Sequence, residues 1–100
     1  MGMDYSYAGS ASYSRFREEL CEVARIFNWT INERKFVFPD GTNEILVKWF
    51  NSIYDEFTLE ETETIWAHVS THPEIKDISS QIWYELEISI KLNEPWRIWK

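Results

Sequence analysis

The sequence predicts an α+β fold: a single domain over residues 1–100, with a mainly antiparallel sheet of about five strands and three or four helices packed on one face. The first observation is the stretch 82–92, in which every second residue is apolar or aromatic. A period of two is typical of a strand that buries one face. We therefore expect 82–92 to be the central strand, with a buried face formed by Ile82, Tyr84, Leu86, Ile88, Ile90 and Leu92.

The second observation is that strand-like and helix-like patterns are mixed along the rest of the chain. Apolar residues recur every three or four positions over 13–27, which predicts a helix after a short first strand over 3–7. Two alternating segments near 29–32 and 35–38 are separated by polar residues, and this predicts a hairpin. A Pro-Asp-Gly turn at 39–41 ends the second of these strands.

The widest apolar stripe at helical spacing follows this turn and extends from Ile45 to Phe57. Thr42 or Asn43 is suited to cap the helix, because a short polar side chain accepts a hydrogen bond from an unpaired backbone amide. We expect this second helix to pack directly on the sheet.

Thr58 and Glu61 have the spacing of a capping box, in which each side chain bonds the other residue's backbone amide. This motif predicts a helix over 59–71, which ends before a proline. A short helix over 73–79 and a last edge strand over 96–99 complete the predicted order.

Charge is distributed unevenly over the chain. The formal net charge is −7, and residues 51–94 contain ten acidic residues but only two basic ones. Such a surface repels nucleic-acid phosphates and anionic membranes, and it attracts a basic protein. Aromatic residues make up 17% of the chain, so we expect some rings on the surface as binding anchors. The alternative is that the acidity serves only solubility.

One acidic cluster lies between the second and third predicted helices. It consists of Asp55, Glu56, Glu60, Glu61 and Glu63, with no basic residue among them. One interpretation is a patch that docks on a cationic partner. The other is local, because acids in the first turn of a helix are stabilised by the helix dipole, and this explains the last three but not the first two.

The outer face of the predicted central strand is a second candidate surface. Trp83, Glu85 and Glu87 would share this face, and Trp96 or Trp99 would add a ring from the next strand. Carboxylates beside exposed rings suit a partner rich in Lys and Arg. Alternatively, the charges only keep the sheet surface from aggregating.

His68 and His72 are the only histidines, and their i, i+4 spacing places both rings on one face of a helix. A metal site would need a third ligand, for which Glu61 or Glu74 is a candidate. The alternative is two exposed histidines near the negative end of the helix dipole. We assign no metal and no cofactor.

The remaining chemistry-bearing residues form no catalytic pattern. Neither a nucleophile elbow nor a phosphate-binding loop is recognisable, so we expect a protein that is not an enzyme. Cys21 is the single cysteine and has no partner for an internal disulfide. With no signal peptide and no membrane-spanning stretch recognisable, the expected location is the cytoplasm.

The segment from Tyr7 to Phe16 contains Gly9-Ser10-Ala11-Ser12 before an aromatic-containing helix, and Phe38-Pro39 follows later. These residues resemble the opening of small immunity proteins from bacterial polymorphic-toxin systems. The resemblance is confined to the N-terminal part of the chain. It implies a non-enzymatic role, in which the protein binds a cognate toxin and blocks its active surface, and it implies no individual contact residue.

These observations favour a small acidic protein-binding inhibitor, most simply an immunity-type protein that occludes the cationic site of a nuclease toxin. A phage-encoded inhibitor of a host defence nuclease would use the same physics. Two further possibilities are a small metal-dependent enzyme or subunit that uses His68 and His72, and a subunit of a larger assembly. The expected partner is a basic protein, not nucleic acid or membrane, and monomer and homodimer both stay open.

Overall fold

The computed structural model describes residues 2–5, 10–33, 35–51 and 55–99, with side chains described over 15–33, 35–51 and 56–97. Five helices dominate this part of the chain. The elements in order are β1 (Gly2–Tyr5), β2 (Ser10–Ser12), α1 (Tyr13–Ile26), β3 (Thr30–Asn32), β4 (Lys35–Val37), α2 (Glu44–Asn51), β5 (Asp55–Glu56), α3 (Leu59–Val69), α4 (Glu74–Ile78), α5 (Ser80–Leu92) and β6 (Arg97–Trp99).

The fold is mainly helical, so the predicted five-stranded sheet with helices on one face is wrong. The strands are short, with at most four residues each. Antiparallel pairing joins four of them in the order β2-β1-β6-β5, and β3 and β4 form a separate hairpin. The last strand, predicted at an edge, pairs on both sides, with β1 and with β5.

The predicted central strand 82–92 lies within a helix, α5. Local signals at both ends favour a helix. Ser79 caps the first turn, where its hydroxyl accepts a hydrogen bond from the Ile82 amide at 3.3 Å. Asn93 ends the helix in the left-handed conformation, with φ of 56°, which asparagine adopts more readily than most residues. Helices α3 and α4 pack against it.

The buried face of α5 has helical spacing and includes two polar residues. Ile82, Glu85, Leu86 and Ser89 are fully buried. By contrast, Tyr84 is 41% exposed and Leu92 is 55% exposed, although the strand pattern placed both in the core. The alternation of apolar residues along this stretch therefore does not divide the buried side chains from the exposed ones.

Several other predicted elements are confirmed within a few residues. The helix predicted over 13–27 is α1, the predicted hairpin is β3-β4, and the helix predicted over 59–71 is α3. The short helix predicted over 73–79 is α4. Of the two proposed caps for α2, Asn43 is the one whose Oδ1 accepts from the Ile45 amide, at 2.8 Å.

The predicted second helix is too long, because α2 ends at Asn51 and Phe57 lies beyond a strand. Phe57 still reaches the core, where its ring stacks on Trp96 with the ring centroids 5.7 Å apart. Trp49 also contacts Trp96, edge-on, with the ring centroids 5.8 Å apart. These rings belong to one cluster of buried side chains, drawn from the helices, the hairpin and the segments around Phe57 and Trp96. None of the described helices combines the length and the apolar composition that crossing a membrane requires.

Candidate functional site

The start of α3 presents an acidic face, which we define as Glu56, Glu60 and Glu63. All three side chains are exposed. Glu60 and Glu63 make no ion pair with any residue in the described part of the chain. The sequence has no lysine or arginine between Lys48 and Lys76, so α3 contributes neither of these cations to the face. Glu56 differs, because it faces Arg97 across the β5–β6 pair.

The neighbouring side chains on this side of α3 are small. Ala67 is exposed, as is Thr71 beyond the end of the helix. Thr64 is half-buried, and its hydroxyl donates to the Glu60 carbonyl oxygen. A cleft of about 510 Å³ lies beside the face and is lined in part by Lys48, Thr58, Glu60 and Glu61. Of the two unpaired glutamates, Glu60 lines this cleft directly.

Glu61, which the sequence predicts to be part of the acidic partner-binding cluster, stabilises the fold instead. Its carboxylate accepts from the Thr58 amide at 2.9 Å, and the Glu61 amide donates to the Thr58 hydroxyl at 3.1 Å, which completes the predicted capping box. Lys48 of α2 donates to both carboxylate oxygens, at 3.1 and 3.0 Å. The Thr58 amide first, and then Lys48, lower the pKa of Glu61.

We expect Glu61 to stabilise the protein in a pH-dependent way. Because folding lowers the pKa of Glu61, the stabilisation is complete above the unfolded value of about 4.5 and is lost as the pH falls through the lower folded value. Glu61→Gln retains an acceptor for the cap but removes the charge. The variant should therefore be less stable than the wild type at pH 7, and the difference should shrink at pH 3, as measured by urea unfolding. A difference that stays constant between the two pH values would contradict this role.

Two other predicted binding residues, Glu85 and Trp96, are buried, so their predicted position on an exposed face is wrong. Trp96 Nε1 donates to Glu85 Oε1 at 3.2 Å, and the Trp96 backbone amide donates to the Thr62 hydroxyl at 3.0 Å. For Glu85, the reason is the helical geometry of α5, which turns position 85 inward beside Ile82 and Leu86. These two residues join α5 and α3 to the segment that precedes β6, and they are excluded from the candidate surface.

The remaining predicted surface residues do not form one patch. Trp83 is half-buried and packs edge-on against Trp66, with the ring centroids 5.0 Å apart. Glu87 is half-buried and pairs with Lys91 at 3.5 Å. The side chains of Asp55 and Trp99 lie outside the described residues.

The two histidines have separate local partners. His68 Nδ1 lies 2.9 Å from the Thr64 carbonyl oxygen, while His72 Nδ1 lies 3.0 Å from Glu74 Oε1. The His72 ring also packs edge-on against Phe27. Across the described residues, no three His, Cys, Asp or Glu side chains come together as a metal would need.

A second cleft, of about 540 Å³, lies along α1, and its charges are balanced. Arginine and glutamate side chains both line it, and two of the arginines are paired within the helix, Arg15 with Glu19 and Arg25 with Glu22. Opposite charges at this spacing largely cancel each other for a distant ligand. Electrostatics therefore favours the acidic face over this cleft as a docking surface.

Two residues that are not among the predicted site residues, Lys48 and Thr62, also position the site. Lys48 holds Glu61, and the Thr62 hydroxyl donates to the Thr58 carbonyl oxygen while it accepts from Trp96. Lys48 is the last lysine or arginine before a long acidic stretch, and this position in the sequence indicates that it pairs with one of the following acids. The second contact joins residues 34 positions apart, and no local pattern indicates it.

Comparison with known proteins adds no relative: no family model, no curated protein and no solved structure matches this chain. The acidic face at the start of α3 is therefore identified from the geometry of this chain alone.

Proposed function

We propose that the protein is a non-enzymatic, acidic binding protein that docks on a basic protein and occludes its cationic surface. The observation that carries this proposal is the pair Glu60 and Glu63 on α3, a helix without lysine or arginine. Both side chains are exposed, and neither makes an ion pair with a described residue. The neighbouring Glu61 forms an ion pair with Lys48, whereas Glu60 and Glu63 form none with a described residue. These two negative charges are therefore available to a partner.

The mechanism is electrostatic steering followed by contact at the acidic face. A chain with a net charge of −7 attracts a cationic protein over about 8–10 Å, the screening length at physiological salt. Once the surfaces meet, the two unpaired carboxylates accept hydrogen bonds from Lys or Arg side chains, and Arg binds a carboxylate through two parallel bonds. The partner's cationic residues are then covered and cannot bind a phosphate backbone.

A nuclease toxin is the partner class that this chemistry fits best, which makes the protein an immunity-type inhibitor. Nucleases that bind nucleic-acid backbones carry clustered Lys and Arg, and these are the groups that an acidic face recognises. A location in the cytoplasm, where such an inhibitor meets its toxin and where a single unpaired Cys21 stays reduced, is part of the proposal.

The test is retention of a basic partner by the immobilised protein from an extract of its own cells, with a charge-neutralised variant beside it. Glu60→Gln with Glu63→Gln should reduce the association rate with the retained partner on the order of tenfold at low salt. The reduction should be smaller at 0.5 M salt, because screening removes the same attraction.

The matched control is Glu18→Gln with Asp40→Asn, which removes two exposed acids away from α3 and gives the same net charge. If the acidic face is the contact surface, this control binds nearly as fast as the wild type. Equal losses in both double variants would show that only net charge matters. An acidic retained partner, or one whose binding neither double variant changes, would contradict the proposed function.

A further inference from the structure

Two polar side chains in the core have no hydrogen-bond partner among the described residues, namely the Trp49 indole and the Ser89 hydroxyl. Both residues are fully buried. A buried donor without a partner destabilises a fold, because the unfolded chain bonds it to water. Ser79 shows the usual solution, since its buried hydroxyl donates to Glu19 Oε2 at 2.8 Å.

Trp49 and Ser89 both lie next to the buried Glu85–Trp96 pair. Ser89 follows Glu85 by four residues on α5, and both are on the buried face, so their side chains are neighbours one turn apart. Trp49 of α2 contacts Trp96 edge-on, with the ring centroids 5.8 Å apart, and Trp96 Nε1 donates to Glu85 Oε1. The region therefore combines two unpartnered polar groups with a buried carboxyl group.

We propose that an internal water molecule binds here and bridges the Trp49 indole, the Ser89 hydroxyl and the Glu85 carboxyl group. The Trp49 N–H can only donate, a carboxylate oxygen accepts, and a serine hydroxyl does either. Water matches this set because it offers two donors and two acceptors in the smallest volume. Buried waters are common, at about one per 27 residues, and each makes about three hydrogen bonds to otherwise unpartnered groups. The water links α2 to α5 through the core.

The direct test is nuclear magnetic resonance of the wild-type protein labelled with nitrogen-15. A long-lived internal water gives a cross-relaxation peak between water and the Trp49 Hε1 proton, and this peak is assigned by its loss in Trp49→Phe. We expect the peak. Its absence, with the Hε1 resonance itself visible, would overturn the proposal.

The second test is the melting temperature of Ser89→Ala. With water bound, the substitution removes a hydrogen bond, and the melting temperature should fall by about 4–8 °C. Without water, it removes an unpartnered hydroxyl, and the melting temperature should stay the same or rise. Ser79→Ala is the control, because it removes a buried hydroxyl whose partners are known and so calibrates such a loss.

A double-mutant cycle distinguishes a shared water from two separate effects. If one water joins the two groups, Trp49→Phe and Ser89→Ala together should shift the melting temperature by less than the sum of the single shifts. Additive shifts would overturn the bridge. The proposal requires both this coupling and the cross-relaxation peak.

Discussion

Replacing Trp96 with alanine is expected to lower the free energy of unfolding by about 3–5 kcal/mol, a large part of what a domain of this size has. Trp96 is fully buried, and its ring stacks on Phe57 and contacts Trp49 edge-on. Truncation leaves a large cavity and also removes the indole bond to Glu85, a carboxyl group that stays buried. Urea unfolding followed by circular dichroism measures the loss.

Trp83→Ala is the matched control for this experiment, because the sequence predicts both tryptophans to be surface anchors. Trp83 is half-buried and loses mainly its edge-on contact with Trp66, so we expect a cost of roughly 1–2 kcal/mol. Equal costs for the two variants, or a small cost for Trp96→Ala, would mean that Trp96 is not in the core.

Leu86→Ala and Tyr84→Ala are expected to differ strongly, although the two positions have the same parity along the chain. Leu86 is fully buried on α5, so its truncation should cost about 2–5 kcal/mol. Tyr84 is exposed and contacts Lys76 through its ring, so its truncation should cost less than about 1 kcal/mol. Denaturant unfolding of the two single variants measures both values.

A strand over 82–92 makes the opposite prediction, because both side chains would then lie on the same buried face. Similar large costs at the two positions would therefore contradict the helix α5. Glu87→Ala serves as the control for helix propensity, since it changes a half-buried side chain whose described ion pair is with Lys91. Its effect should stay within about 0.5 kcal/mol.

Elements with a complete local signal were predicted correctly. The capping box of Thr58 and Glu61 locates the start of α3, and the polar segment between two aromatic-rich strands locates the β3-β4 hairpin. In these cases the stabilising contacts lie within a few residues of each other, so the local sequence contains them.

The prediction of a strand over 82–92 is wrong because the buried face of the helix is not uniformly apolar. A helix over these residues buries Glu85 and Ser89 beside Ile82 and Leu86, and a hydrophobic pattern counts the two polar residues against it. The burial of Glu85 is compensated by Trp96, which lies beyond the end of the helix. Tyr84 and Leu92, which are exposed, added apolar positions that fit a period of two.

The candidate site was predictable only in part, for a related reason. The sequence shows that Glu60, Glu61 and Glu63 are clustered acids at a helix start. It does not show which of them is neutralised, because the Lys48–Glu61 contact depends on how α2 packs beside α3. Tertiary packing thus separates a glutamate that stabilises the fold from the two that are available to a partner.

The most direct test of this structure is the set of backbone chemical shifts of residues 80–92 in solution. We expect helical shifts from Ser80 to Leu92, a break at Asn93, and slow amide exchange at Leu86 because it is buried. Strand-like shifts over 82–92, with cross-strand contacts to 97–99, would contradict the helical fold and would return Glu85 to the surface.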